Sequence, residues 1–106
     1  HLGDDMAAMI RYAAPVLAQV HVADTFNHKA GWRYIVNPPG STARVHQHLN
    51  IGEGEIDWDV FFSTLAEVGF DGLMTSQVFA YLPEVADECS RLMHDRIHHY
   101  VDKYWK

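Results

Sequence analysis

The sequence predicts an α/β protein with parallel strands covered by helices. Helix-type and strand-type apolar spacing alternate along its 106 residues, in the order helix, strand, long loop, helix, strand, helix. The first strand candidate, 16–23, is a nearly continuous apolar run, which is typical of a strand buried on both faces of a parallel sheet. Two such strands are too few to close a barrel or to form a doubly wound sheet.

The composition is that of an ordinary globular protein, with 48% hydrophobic and 21% charged residues. It excludes disorder, a collagen-like repeat or a coiled coil as a description of the whole chain. Eight Lys and Arg against 14 Asp and Glu give a formal net charge of −6, which disfavours nucleic acid as a partner. No apolar run reaches the ~18 residues of a membrane helix, so no membrane partner is expected. The single Cys89 fits a cytoplasmic location.

The first helix is predicted over 4–14 and the first strand over 16–23. Asp4 or Asp5 can cap the free N–H groups at the start of the helix. Pro15 ends it, because proline lacks an N–H group and crowds the preceding turn.

A long loop is predicted over 24–56, with turn signals at 37–41 and 52–54. Loops of this length in compact proteins are often functional. The aromatic and histidine side chains that set it apart from a plain linker are His28, Trp32, Tyr34, His46 and His48.

A helix, a strand and a longer helix complete the chain. Asp57 is the natural N-cap of a helix over 57–68, and Gly69 is its C-terminal stop. A second strand is predicted over 73–80 and a last helix over 83–104. The predicted buried stripe of the last helix is Val85, Cys89, Leu92, Met93, Ile97, Tyr100, Val101 and Tyr104.

Polar residues near the ends of the two strands are the first candidates for chemistry. His21 lies near the C-terminal end of the first strand, where parallel α/β folds bind ligands, and Asp24 follows it. Gln77 lies near the end of the second strand and faces whatever His21 faces if the strands run together. The alternatives are a buried histidine bonded to a backbone carbonyl and a glutamine with an ordinary polar partner.

Two histidine pairs are further candidates. His46 and His48 are two residues apart, so an extended segment points both rings the same way, towards a shared ion. The alternative is a pair of exposed loop histidines. His94 and His98 are one helical turn apart but lack the Glu of the zinc-protease motif, so a solvated helix face is predicted there.

Several motifs in order resemble the end of the xylose-isomerase-like barrels, the sugar phosphate isomerases and epimerases with the type-2 AP endonucleases as relatives. They are VHVAD at 20–24, HLNIGEGEIDW at 48–58 and VGFDG at 68–72. The stretches DGLMT at 71–75 and VFA at 78–80 look closest to the myo-inositol-catabolism branch. The resemblance covers nearly the whole chain.

The resemblance implies that 1–106 is the C-terminal portion of a (β/α)8 TIM barrel, about strands seven and eight with their helices. It implies a divalent metal (Mn, Mg, Co or Zn) with His21 as the ligand at the end of strand seven. The family's strand-eight glutamate ligand maps to Gln77, a further candidate ligand. Its amide oxygen can coordinate a metal weakly, but it has no charge and cannot take a proton. His48 matches a ligand histidine of the endonuclease relatives, and His46 replaces their Asp.

The activity implied is isomerisation or epimerisation of a small sugar, sugar phosphate or cyclitol. Substrate would contact Asp24, Asn27, His28 and Glu53, and the catalytic base would lie upstream of His1. The alternatives are metal-dependent cleavage of DNA at abasic sites and a degenerate barrel without activity. The 106 residues alone would expose strand edges and an apolar inner face, so we expect self-association and no turnover.

Overall fold

The computed structural model describes residues 3–26, 48–78 and 80–106. In these ranges the chain is a small α/β unit of three helices and one parallel sheet of two strands. The elements in chain order are α1 (Met6–Ala13), β1 (Gln19–Val22), α2 (Trp58–Glu67), β2 (Leu73–Ser76) and α3 (Ala86–Tyr104). The predicted alternation of helices and strands is confirmed.

The predicted N-caps of the first two helices are confirmed. The Asp5 carboxylate accepts a hydrogen bond of 3.0 Å from the Ala8 N–H, and α1 starts at the next residue, Met6. The Asp57 carboxylate accepts one of 3.0 Å from the Val60 N–H at the start of α2. Each carboxylate satisfies a backbone donor that the first helical turn leaves unpaired, and so fixes where the helix begins.

Strand β1 is shorter than predicted, and it is buried on one face only. The prediction of 16–23 was wrong at its start, because Pro15 and Val16 belong to a 3-10 turn in which Val16 is 84% exposed. Within Gln19–Val22, exposed positions alternate with covered ones. An apolar run therefore did not distinguish a strand buried on both faces from a turn followed by a half-covered strand.

Strand β2 lies parallel to β1, with His21 opposite Thr75 and Val22 opposite Ser76. It covers Leu73–Ser76, half of the predicted 73–80. Gln77 continues the pairing for one residue, since its N–H donates to the Val22 carbonyl at 3.0 Å. The C-terminal ends of both strands therefore meet at one edge of the sheet.

Two apolar clusters join the helices to one face of the sheet. The larger contains Val22, Ile51, Trp58, Phe62 and Met93. The smaller joins Ile10 on α1 to Leu65 on α2 and to Phe70. Stacking of Phe62 on Tyr100, with ring centroids 4.7 Å apart, ties α2 to α3. This packing leaves the opposite face of the sheet without a covering layer among the described residues.

The uncovered face of the sheet is mostly polar, which corrects the predicted apolar inner face. Its exposed residues on the strands are Gln19, His21, Leu73 and Thr75, of which only Leu73 is apolar. A polar face costs little to expose to water. The expected self-association therefore cannot rest on an apolar face, and it stays a prediction that rests on the strand edges.

Helix α3 begins later than predicted. The predicted helix over 83–104 starts with a 3-10 turn at Pro83–Val85, and the α-helix runs from Ala86 to Tyr104. Val85 was predicted to be buried but is 37% exposed, whereas Met93 is fully buried as predicted. Among the described helices, none is long and apolar enough to cross a membrane.

Candidate functional site

His21 and Gln77 form the centre of the candidate site on the uncovered face of the sheet. Both residues lie at the edge of the sheet where the two strands end. Gln77 Oε1 lies 3.2 Å from His21 Nδ1. Both side chains are exposed. The ring is therefore accessible and points towards Gln77, in contrast to the alternative of a buried histidine bonded to a backbone carbonyl.

The contact with Gln77 favours one tautomer of His21. An amide oxygen only accepts hydrogen bonds, so the proton of the neutral ring lies on Nδ1 in this contact. Nε2 then keeps its lone pair. A neutral imidazole that carries its lone pair on Nε2 is suited to bind a metal ion or to accept a proton.

Asp24 lies three residues beyond His21, and its carboxylate is fully used within the chain. Oδ2 accepts hydrogen bonds from the Gly52 N–H at 2.7 Å and the Trp58 Nε1–H at 2.8 Å. Oδ1 accepts from the N–H groups of Thr25 at 2.8 Å and Ile56 at 3.2 Å. With 1% exposure and four donors, this carboxylate has no place for a sugar hydroxyl. The described geometry gives Asp24 a structural role and does not favour the predicted contact with substrate, which stays a prediction.

The two glycines of the GEGEIDW segment are required by this carboxylate. Gly54 lies so close to Asp24 Oδ1 and to the Thr25 backbone that a Cβ atom would overlap them. Gly52 donates its N–H to Asp24 with φ at +90°, a conformation that side chains disfavour. The Gly-x-Gly pattern thus wraps the chain around Asp24 and leads it into α2.

Glu53, predicted to contact substrate, is bound by Tyr81 from the loop after β2. The Tyr81 hydroxyl donates a short hydrogen bond to Glu53 Oε2 and accepts one of 3.1 Å from the Asn50 N–H. Burial, and next the hydrogen bond to Glu53, raise the pKa of Tyr81 to about 12. The neutral hydroxyl therefore links the loops that follow the two strands. No sequence pattern marked Tyr81, because its partners are 28 and 31 residues away.

A second feature of this edge is a pocket of about 440 Å³ between the loop after β2 and the start of α3. Tyr81 and Cys89 are among its lining residues. The Cys89 sulfur accepts a weak contact of 3.6 Å from the Asn50 side-chain amide. The predicted burial of Cys89 as a small core residue is wrong, since the side chain is half-buried at this pocket.

The other predicted site residues are only partly described. His48 is half-buried beside Leu49, which exchanges backbone hydrogen bonds of 2.8 and 2.9 Å with Asp24. This pairing brings His48 back towards the end of β1. Asn27, His28 and His46 lie outside the described residues.

Among the described residues near the strand ends, His21 is the candidate ligand for a metal ion. Imidazole Nε2 suits Mn, Co or Zn, but the Gln77 oxygen is already engaged by His21 Nδ1. Within 3–26, 48–78 and 80–106, no three or more His, Cys, Asp or Glu side chains cluster where they could hold a metal ion. The described residues thus offer a single strong candidate ligand, His21, and do not by themselves form a metal site.

Comparison with known proteins identifies the family of this chain. The family model described as "Xylose isomerase-like TIM barrel" matches residues 1–95. No curated protein and no solved structure matches the chain. Because the match covers most of the sequence, this chain belongs to the xylose isomerase-like TIM barrel family.

Proposed function

We propose that this chain is the C-terminal portion of a divalent-metal-dependent isomerase or epimerase acting on a small sugar, sugar phosphate or cyclitol. In this proposal β1 and β2 are strands seven and eight of the barrel, and the uncovered polar face lines its interior. Its family supports a sugar isomerase or epimerase type of activity. The inositol-catabolism branch and a cytoplasmic location belong to the proposal.

One observation carries the proposal: the exposed His21 ring at the C-terminal end of a parallel strand, with Gln77 Oε1 at 3.2 Å from Nδ1. TIM barrels place their active sites at this end of the strands. His21 would bind the metal through Nε2, and His48 and His46 would approach the same ion from the long loop. A metal held there would polarise a substrate carbonyl and stabilise the charge that develops as a proton moves at the neighbouring carbon.

Gln77 has a positioning role in this proposal. An uncharged amide can orient His21 but cannot transfer a proton. The catalytic base is therefore another residue, which we place outside 1–106. Asn27 and His28 would contact the substrate from the long loop.

The acidic chain favours a sugar over a nucleic acid. With a formal net charge of −6, it repels the phosphate backbone that an abasic-site nuclease must bind. Cleavage of abasic DNA is therefore the alternative activity, and the experiment below also measures it.

The test measures metal-dependent deuterium incorporation from D2O into a panel of sugars, sugar phosphates and cyclitol ketones, using the intact protein and NMR. We expect exchange that needs Mn²⁺, Co²⁺ or Zn²⁺ and that is lost in His21→Ala. His99→Ala is the matched control, because it removes an exposed imidazole that lies on α3. Gln77→Leu should weaken metal binding but leave some exchange, since it removes only the support of His21.

Three results would contradict the proposal. Exchange that persists in His21→Ala would remove His21 from the site. Zinc-dependent cleavage of an abasic DNA duplex without any sugar exchange would favour the nuclease. Absence of both activities, with metal bound or not, would favour a barrel without catalytic function.

A further inference from the structure

Helix α3 carries two histidines on its solvent-exposed side, away from the candidate site. His94 and His98 are one turn apart, and their ring centroids are separated by 4.2 Å at an interplanar angle of 46°. Met93 and Ile97 on the same helix pack against the covered face of the sheet. The histidine pair is therefore separated from the uncovered face that carries His21 by the core and the sheet.

His94 contacts Asp95, the next residue of the helix. The His94 Nδ1 lies 3.1 Å from Asp95 Oδ1, and a carboxylate at this distance accepts the Nδ1 proton. The lone pair of the neutral His94 ring then lies on Nε2. Carboxylates that hold a ligating imidazole in this way are common around protein metal ions and raise the basicity of the ring.

We propose that His94 and His98 form a two-histidine site for a borderline transition-metal cation such as Zn²⁺, Ni²⁺ or Cu²⁺. Histidines at positions i and i+4 of a helix present their rings to one ion, as in helical zinc motifs. With their centroids 4.2 Å apart, the two rings are close enough to reach one ion. Water completes the coordination, because the described residues bring no third ligand.

The chemistry of the pair selects the cation. Neutral imidazole nitrogen favours Zn²⁺, Ni²⁺ and Cu²⁺, whereas Mg²⁺ and Ca²⁺ require several oxygen ligands. The site differs from the zinc-protease motif, since Asp95 is bound to His94 and no glutamate follows the first histidine. It is therefore a binding site without a built-in base for hydrolysis.

The experiment is calorimetric titration of the whole chain with Ni²⁺ at pH 7.5, repeated for single variants. His94→Ala and His98→Ala should each lower the Ni²⁺ affinity of this site at least tenfold, because each removes half of the chelate. Asp95→Asn should lower it by about tenfold, at the low end of the effect of losing such a carboxylate. His99→Ala is the matched control and should change the affinity less than twofold, since its ring lies against Tyr100.

Two further measurements keep this site distinct from the one proposed at His21. His21→Ala should leave the α3 affinity unchanged, so failure of either proposal is visible without the other. With Cu²⁺, electron paramagnetic resonance of the His21→Ala chain should show two coordinated imidazole nitrogens. Wild-type Ni²⁺ affinity in both His94→Ala and His98→Ala, or a Cu²⁺ spectrum unchanged by them, would overturn the proposal.

Discussion

His21 and Asp24 lie three residues apart at the end of the same strand, and the fold uses them in opposite ways. The Asp24 carboxylate is 1% exposed and accepts four hydrogen bonds from its own chain. The His21 ring is exposed, and within the described part of the chain its side-chain partner is Gln77. Position near a strand end made both candidates for ligand binding. The two residues differ in how many of their hydrogen-bonding positions the chain already occupies. Asp24 therefore has a structural role, whereas His21 stays accessible.

The strongest challenge to this comparison is the isosteric change Asp24→Asn. The Gly52 N–H and the Trp58 ring N–H now donate to a carboxylate oxygen. The new amide would place its own N–H groups against such donors. Each buried donor left without an acceptor costs about 1–3 kcal/mol, so we expect a loss of about 3 kcal/mol or more. Urea unfolding followed by tryptophan fluorescence measures it.

His21→Ala is the matched control for that change. Its exposed ring should alter the unfolding free energy by less than about 0.5 kcal/mol. Equal losses in the two variants would show that both residues are structural, and the comparison would fail.

The variant Gly54→Ala tests the packing of the chain against the same carboxylate. A Cβ atom at this position overlaps Asp24 Oδ1 and the Thr25 backbone, which cannot move without breaking their hydrogen bonds. We expect a loss of about 1–3 kcal/mol in unfolding free energy, the range for overpacked sites. A Gly54→Ala chain as stable as wild type would mean that the segment 52–56 does not close around Asp24.

The link between the two strand-end loops is tested by Tyr81→Phe. Removing the hydroxyl leaves the Asn50 N–H without its acceptor and frees Glu53, so we expect a loss of about 1–2 kcal/mol at neutral pH. Denaturant unfolding at pH 7.5 measures this loss. An unchanged midpoint would show that the loops do not depend on Tyr81.

The same residue predicts a pH dependence. Folding raises the pKa of Tyr81 from 10.0 to about 12, so the folded chain holds this proton more tightly than the unfolded chain. The resulting stability is fully present below pH 10 and is lost as the pH rises to about 12. Tyr81→Phe should therefore flatten the fall in stability over this interval. An identical fall in both proteins would contradict the shift.

The smallest effect is expected at the exposed ion pair between α1 and α2. The Arg11 guanidinium bonds both oxygens of Glu67, at 3.0 and 2.9 Å, and thereby lowers the pKa of Glu67 below its ordinary 4.5. Its contribution is present above pH 4.5 and is lost as the pH falls through the folded-state pKa. Glu67→Gln should barely change stability at pH 7, because exposed pairs contribute little. If the melting temperature of Glu67→Gln fell as much as that of Asp24→Asn, this order of expected stability losses would be wrong.

Local chemistry explains which parts of the fold were predictable. The N-caps Asp5 and Asp57 act on N–H groups three residues away, so the sequence around them contains the complete interaction. The family motifs also placed His21 and Gln77 at one sheet edge, where the structure brings them into contact. The lengths of both strands were overestimated, because an apolar run does not reveal whether a neighbour covers it.

The sequence by itself determined the order of helices and strands, the starts of the first two helices and the family, because these depend on short-range spacing and on motifs. Only the tertiary structure decided the roles of Asp24, Glu53 and Tyr81. Three of the four donors to the Asp24 carboxylate lie 28 to 34 residues away, and Tyr81 reaches back 28 and 31 residues. Whether a polar side chain is available to a ligand depends on which donors and acceptors the folded chain brings to it, and these long-range partners are absent from any local pattern.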